Sequence, residues 1–238
     1  MSDATLDSSV FVDASDAITF ASSLLTGQGV SAEHAAAIAT CLVQADLRGV
    51  QTHGMSRLPI YVKRVKRGLV NPTPSMKLTK PAAACASLDG DNGFGFLVGI
   101  RAMREAIEMA ETCGVGVVSA YNSNHFGMAA SYLLQAVTAG YFAFVFTNAA
   151  KSMPPWGGRE GLFGTSPLGA AAPAGKLPPF VLDMSPAVAA RGKIRLAEKR
   201  SASIPEGFAL DENGQPTTDP TAALRGVVLP IGTYKGSG

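Results

Sequence analysis

A histidine in a polar turn is the residue of this chain best suited to acid–base chemistry. His125 lies within residues 121–127, Tyr-Asn-Ser-Asn-His-Phe-Gly, and is one of three histidines in 238 residues. An apolar run at 115–120 predicts a strand before the turn, and an amphipathic segment at 128–139 predicts a helix after it. Imidazole transfers protons near neutral pH, and α/β proteins place such groups at the carboxyl edge of a sheet. The pattern therefore predicts an acid–base histidine, with a turn or helix-capping histidine as the alternative.

A second histidine, His53, lies between two glycines in the connection at 45–59, four residues before Arg57. Arg57 stands at the start of a predicted helix at 58–67, where the helix dipole disfavours a cation. A guanidinium is the usual bidentate partner of a carboxylate, so Arg57 is a candidate anion clamp. The alternative is an ordinary surface ion pair of Arg57 with Asp46 or Asp13.

The N-terminal part is predicted to be helical. Residues 15–26 form one predicted helix, and Ser31 is placed to cap a second helix that has Ile38 and Leu42 on one face. The third histidine, His34, falls in the first turn of that helix and is assigned to the solvated surface without a role.

A glycine-rich turn between a predicted strand at 82–88 and a predicted helix at 96–112 is the nearest approach to a dinucleotide fingerprint. Gly93 and Gly95 have the required spacing, but Gly99 is one residue late and no acid ends the next strand. We interpret the glycines as permitting close packing and reject an ordinary Rossmann site.

The later part of the chain predicts strands. A run at 141–147 has the branching of a buried strand, and short strands follow at 168–173 and 179–184. The last of these brings Asp183 to its end, directly before a helix expected to begin near Pro186. Asp183 either caps that helix or orients a ligand or a histidine.

Composition excludes several classes of protein. Apolar residues make up 47% of the chain and charged residues 16%, and the net charge of +2 is too small for nucleic-acid binding. Cys41, Cys85 and Cys113 have no C-x-x-C spacing and lie in apolar contexts, so we expect buried thiols and neither a metal site nor disulfides. No signal peptide or membrane-spanning run is evident, so we expect a soluble, cytoplasmic protein.

Several short motifs occur in order along the chain. They are Thr52-His53-Gly54 with Arg57, Ser123-Asn124-His125-Phe126-Gly127, Pro155-Trp156-Gly157-Gly158, Gly164-Thr165-Ser166-Pro167, Asp183-Met184, Ile204-Pro205-Glu206-Gly207 and Lys235-Gly236. From about residue 15 to its end, the chain resembles the malate/L-lactate dehydrogenase family, which includes ureidoglycolate and sulfolactate dehydrogenases and cyclic-imine reductases. The resemblance implies an α/β, non-Rossmann nicotinamide-binding fold with a mixed, largely β central domain. It further implies an N-terminal helical segment at 1–75 that forms the substrate side and dimer contacts, and a cofactor-binding α/β domain at 76–238.

The resemblance also implies roles for individual residues. His125 matches the catalytic acid/base, Arg57 the clamp for the substrate carboxylate, and His53 a hydrogen-bond donor to the substrate, with Thr52 keeping a hydroxyl where relatives often have serine. The implied contacts to NAD or NADP are Asn148, Ala149, Thr165, Asp183, Met184, Ser185 and Lys235.

The implied activity is hydride transfer between a nicotinamide cofactor and a small 2-hydroxy or 2-oxo acid, in a homodimer. Malate, lactate, sulfolactate, ureidoglycolate and a cyclic imine all present a carboxylate to Arg57, so the choice among them stays open. Family members continue with helices beyond Lys235-Gly236, so we expect a chain truncated at its C-terminus or ending in a vector remnant. The alternatives are an impaired fragment that retains cofactor or subunit binding and, favoured only by Gly93 and Gly95, a Rossmann-type dehydrogenase.

Overall fold

The computed structural model describes residues 11–232 and residue 235. Helices and strands are both present, which confirms the mixed α/β class. The helices are α1 (Ala14–Thr26), α2 (Ala32–Leu47), α3 (Leu58–Lys66), α4 (Gly95–Cys113), α5 (Ala130–Thr138), α6 (Arg191–Lys199) and α7 (Pro220–Arg225). Within these described residues, no helix combines the length and the apolar character that crossing a bilayer requires.

The strands form small sheets. They are β1 (Lys77–Ala82), β2 (Cys85–Gly93), β3 (Val117–Ser123), β4 (Ala143–Phe146), β5 (Lys151–Met153), β6 (Phe163–Gly164), β7 (Leu168–Ala172), β8 (Phe180–Met184), β9 (Ala209–Leu210), β10 (Pro216–Thr217) and β11 (Val227–Val228). The strand orders are β1-β2-β3, β4-β7-β8, β5-β6 and β10-β9-β11.

The chain divides into two compact units. The first contains the residues up to Thr79 together with Ser87–Gly99 and Ser119–Gly127. The second contains Lys80–Ala86, Ile100–Val118 and the chain from Met128 onward. The turn that carries His125 therefore belongs to the same unit as the N-terminal helices.

The N-terminal helices begin where the sequence predicts. Asp13 caps α1, and Ser31 caps α2 by accepting a hydrogen bond from the backbone N–H of His34 at 3.3 Å. Ile38 and Leu42 are fully buried, as their spacing predicts. The surface assignment of His34 is wrong: its side chain is half-buried, and its Nδ1 is enclosed without a hydrogen-bond partner in the described part of the chain.

In the second unit, α5 packs on one face of the β4-β7-β8 sheet. Gly169 permits this packing, because a Cβ there would lie 2.8 Å from Leu133 of α5. The two short strands β7 and β8 agree with their predictions, but a fully buried strand at 141–147 does not form. Successive residues of a strand point to opposite faces, so Phe144 and Phe146 lie on the face away from α5 and are more than half exposed.

The segment predicted to turn at 89–95 instead extends β2 to Gly93, and β1 was not predicted. Asp91 and Asn92 adopt the left-handed region, with φ of 49° and 53°, within the strand. The Asp91 side chain stabilises this irregular backbone by accepting hydrogen bonds from the Asn71 amide and the Ser75 N–H.

The helix expected near Pro186 begins instead at Arg191. The residues before it pair with a distant segment: Val188 N–H donates to the Leu229 carbonyl, and Ile231 N–H donates to the Pro186 carbonyl. These long-range bonds hold the segment in an extended conformation, so the helix starts later than Pro186 suggests.

The three cysteines form no disulfide among the described residues, and of the three Cys41 alone is buried. Cys85 is exposed because it opens β2 on the outward side of an alternating strand, and Cys113 is exposed because it ends α4. The prediction of buried thiols is therefore wrong for these two.

Candidate active site

The connection before α3 is held by the carboxylate of Asp46. It consists of two single-turn 3₁₀ helices, Gln51–His53 and Met55–Arg57, and Asp46 Oδ2 accepts a 2.7 Å hydrogen bond from the Met55 N–H. A Cβ at Gly54 would overlap this carboxylate, so any side chain at this position would displace Asp46 from its bond to Met55. Asp46 therefore positions the backbone that carries His53 and Arg57.

Arg57 is anchored through one edge of its guanidinium. Its Nε donates to the Thr52 carbonyl at 2.7 Å, and the Thr52 hydroxyl lies 2.9 Å from Nδ1 of His53. Among the described residues, Arg57 forms no ion pair with Asp46 or Asp13, whose carboxylates bind backbone N–H groups instead. The two terminal nitrogens of Arg57 make no hydrogen bond within that part of the chain, which leaves them for an anion.

The face of α3 continues this site. Tyr61 and Arg64 follow Arg57 by four and seven residues, a spacing that places side chains on one side of a helix. Tyr61 is 4% exposed, and its ring makes T-shaped contacts with the rings of Phe94 and Phe96, whose centroids are 6.2 and 5.4 Å away. These contacts fix the tyrosine, so its hydroxyl has a defined direction.

Asn124 ties the histidine turn to its surroundings. Its amide Nδ2 donates to the carbonyls of Asn92 and Gly93 at 2.9 and 3.0 Å. Its Oδ1 accepts a 2.8 Å hydrogen bond from Nη2 of Arg64. The turn before His125 is thus bonded both to the end of β2 and to α3.

Two glycines allow the backbone to approach closely here. A Cβ on Gly95 would lie 2.1 Å from the Asn124 carbonyl oxygen and 2.7 Å from the His125 carbonyl group. Gly127 has φ of 75°, and a Cβ on it would lie 2.4 Å from the Phe96 ring. The close packing predicted for the glycine-rich segment is confirmed, and the backbone that it admits is that of the histidine turn.

His125 has well-defined partners on one ring nitrogen. The Tyr61 hydroxyl lies 2.7 Å from Nδ1, and the Gly127 N–H donates to the same nitrogen at 3.3 Å. The ring of His53 stacks on that of His125, with centroids 5.6 Å apart and planes 17° from parallel. The structure therefore brings His53 and His125 together from positions far apart in the chain.

The surroundings of His125 disfavour its charged form. Burial, the largest cause, acts together with the positive charges of His53, Arg57 and Arg64 to lower the pKa of His125 from 6.5 to about 4. His125 is nevertheless exposed to solvent, although protein atoms crowd around its ring. At neutral pH the imidazole is neutral, in a field that attracts anions.

Sequence reasoning missed Tyr61, Arg64 and Asn124 as members of this site. The spacing of Arg57, Tyr61 and Arg64 was the available signal, because three polar groups at i, i+4 and i+7 share one helix face. In the described residues, no group of three or more histidine, cysteine, aspartate or glutamate side chains is arranged to hold a metal ion.

Three of the predicted cofactor residues lie together in the second unit. A Cβ on Gly164 would lie 2.2 Å from the Ala149 carbonyl oxygen, so Ala149 is adjacent to the turn that carries Thr165. The Ser185 hydroxyl donates to the Thr165 carbonyl at 3.0 Å, which joins the end of β8 to this turn. Asn148 and Lys235 are exposed.

Asp183 caps a helix, but a different one from the helix expected. Its Oδ2 accepts a 2.8 Å hydrogen bond from the N–H of Ala130, at the start of α5, where the local sequence provides no side-chain cap. Met184 pairs with Leu168 and points to the opposite face of the sheet from Asp183. The side chains of these two adjacent residues therefore reach different surroundings.

The site in the first unit holds the neutral imidazole of His125 beside the cationic side chains of Arg57 and Arg64. A family model described as malate/L-lactate dehydrogenase matches residues 12–238, and the chain belongs to this family. The chain is 44% identical over 210 residues to the L-sulfolactate dehydrogenase of Methanocaldococcus jannaschii, covering 88% of this chain and 61% of that protein. It is 37% identical over 210 residues to the ureidoglycolate dehydrogenase (NAD(+)) of Escherichia coli K12, covering 88% and 60%.

A solved structure agrees with these matches. The sulfolactate dehydrogenase from Methanocaldococcus jannaschii superimposes with a TM-score of 0.89 at 41% identity, over 96% of this chain and 66% of that one. The chain thus spans about three fifths of the length of the curated relatives it matches, 61% in the first case.

Proposed function

We propose that this protein is an oxidoreductase that transfers a hydride between NAD or NADP and a small 2-hydroxy or 2-oxo acid. The observation that carries the proposal is the cluster of His53, His125 and Arg57 within one unit. In it, two stacked imidazoles lie beside a guanidinium whose terminal nitrogens make no hydrogen bond with the described residues. Family membership supports it, because relatives named for sulfolactate, malate and ureidoglycolate are hydroxy-acid dehydrogenases.

The chemistry needs a proton carrier and an anion clamp. When a 2-hydroxy acid is oxidised, a hydride leaves its carbon and the hydroxyl proton must go to a base. His125 is the proposed acid/base, and Arg57 binds the substrate carboxylate through its terminal nitrogens. His53 donates a hydrogen bond to the substrate. Its contact with the Thr52 hydroxyl also supports a second assignment, in which His53 rather than His125 carries the proton.

We propose that the edge formed by Ala149, Thr165 and Ser185 binds the nicotinamide cofactor, which accepts or supplies the hydride. The hydroxyl, amide and ammonium groups of Thr165, Asn148 and Lys235 suit ribose and phosphate oxygens. Asp183, Met184 and Ser185 complete the proposed set. Asp183 contributes mainly by fixing the start of α5, because its carboxylate already binds the Ala130 N–H.

The test is turnover of the purified chain with a panel of 2-hydroxy and 2-oxo acids under NAD and NADP, followed by nicotinamide absorbance. We expect turnover with at least one pair. We also expect a loss of about 10²-fold or more in His125→Gln, while the matched variant His34→Gln is unaffected. A larger loss in His53→Gln than in His125→Gln would assign the proton to His53.

Absence of turnover throughout the panel would contradict the proposal for this chain. Cofactor binding that persists without turnover, measured by quenching of Trp156 fluorescence, would then support the binding-only alternative.

We further propose a cytoplasmic homodimer. The described residues contain three cysteines and no disulfide, which is typical of a reducing compartment. Sedimentation equilibrium would contradict the dimer if the mass stayed at 24.5 kDa over a hundredfold range of concentration.

A further inference from the structure

Tyr61 and the Gly127 backbone both address the same nitrogen of His125. The Tyr61 hydroxyl lies 2.7 Å from Nδ1, and the Gly127 N–H lies 3.3 Å from it. A backbone N–H can only donate, whereas a tyrosine hydroxyl can donate or accept. Because the amide needs an acceptor, Nδ1 must present its lone pair.

This requirement decides the direction of the tyrosine bond. With a lone pair on Nδ1, the Tyr61 hydroxyl donates its proton to the ring. The neutral imidazole then carries its own proton on Nε2. Burial raises the pKa of Tyr61, so the hydroxyl keeps the proton that it donates.

Tyr61 cannot easily turn away from this bond. Its ring makes T-shaped contacts with Phe94 and Phe96, and only 4% of the residue is exposed. The hydroxyl is therefore aimed at His125 by packing that the histidine itself does not supply.

We propose that Tyr61 is a positioning residue which, together with the Gly127 N–H, fixes His125 in the tautomer that carries its proton on Nε2. Nε2–H is then the group that faces the ligand. In the reduction direction of the proposed function, it donates a hydrogen bond to the carbonyl oxygen of a 2-oxo acid. In the oxidation direction, Nε2 can accept the substrate proton only after the ring proton has moved to Nδ1. The hydrogen bonds from Tyr61 and Gly127 to Nδ1 oppose that move.

The tautomer can be measured on the chain without any substrate. The three histidines, uniformly ¹⁵N-labelled, are assigned from the spectra of His34→Gln and His53→Gln, and the ¹⁵N shifts report which nitrogen is protonated. We expect Nε2–H in wild-type His125 at pH 7. A wild-type ring with its proton on Nδ1 would overturn the proposal, whatever the variants do.

Tyr61→Phe removes one donor and keeps the ring packing. We expect a mixture of tautomers and an upward shift of the His125 pKa, because the donor to Nδ1 opposes imidazolium formation. Tyr141→Phe is the matched control, since Tyr141 lies in the second unit and its hydroxyl makes no hydrogen bond in the described residues. A Tyr61→Phe spectrum and titration identical to wild type, with the fold retained, would contradict the role of the hydroxyl.

The kinetic consequence rests on the proposed function. In Tyr61→Phe we expect kcat to fall about tenfold with the KM for the 2-oxo acid unchanged, because binding through Arg57 is intact. If Tyr61→Phe lowered the midpoint of thermal unfolding and left kcat unchanged, the role of Tyr61 would be merely structural and the proposal would be overturned. If the wild-type chain shows no turnover, the proposed function fails, and the tautomer measurement still decides the role of Tyr61.

Discussion

Arg57 illustrates how backbone contacts prepare a side chain for a ligand. Its Nε donates to the Thr52 carbonyl, so the side chain is oriented, while its two terminal nitrogens have no hydrogen-bond partner in the described part of the chain. A guanidinium presents these nitrogens as a planar fork that matches a carboxylate, whereas an ammonium does not. We therefore expect binding of the substrate carboxylate to depend on the guanidinium of Arg57 and not only on its positive charge.

For Arg57→Lys we expect the KM for a 2-oxo acid to rise about tenfold or more, with a smaller change in kcat. Steady-state kinetics at constant ionic strength measure this, with Arg67→Lys at the exposed end of α3 as the control. An unchanged KM would show that the carboxylate is bound elsewhere.

At the scale of elements, the start of α4 supports the histidine turn. Gly95 is the first residue of the helix, and the carbonyl groups of Asn124 and His125 occupy the space of its missing side chain. The contact involves backbone on both sides, so neither side can yield by a simple rotamer change.

We therefore expect Gly95→Ala to lower the free energy of unfolding by about 1–3 kcal/mol and to displace His125. Urea unfolding measures the first effect and the ¹⁵N shifts of His125 the second. Gly27→Ala is the control, because a Cβ there would meet only ordinary contacts at 3.4 and 3.5 Å. Equal stability of the two variants would contradict this account of Gly95.

At the scale of the whole molecule, His125 makes stability depend on pH. The pKa of His125 is about 4 in the folded chain, against an ordinary value of 6.5. Between these values the unfolded chain binds a proton that the folded chain does not, so stability falls as the pH drops through this window. The carboxyl pKa values of Asp13 and Asp89 are also lowered, but the stability that these groups contribute is lost only as the pH falls below their ordinary pKa of 3.8.

We expect the free energy of unfolding of the wild type to decrease from pH 7.5 to pH 5, and this decrease to be smaller in His125→Gln. Urea titrations at the two pH values measure it, with His34→Gln as the reference. A wild-type pH dependence retained in His125→Gln would assign the effect to another group.

Local rules accounted for much of this protein. The cap at Ser31, the close approach at Gly95 and the strands at 168–173 and 179–184 follow from neighbouring residues. The ordered motifs indicated the family that the comparisons then showed. Such features are readable because a cap, a glycine or an alternating pattern acts within a few residues.

Tertiary structure alone decided which groups meet. Tyr61 contacts His125 across 64 positions, and Asp183 caps α5 across 53 positions. The exposure of Phe144 depends on which face of its sheet α5 covers. The late start of α6 depends on the hydrogen bonds between the segment before it and residues 229–231. Contacts of this kind arise from the packing of distant segments, and no local pattern around either partner specifies the other.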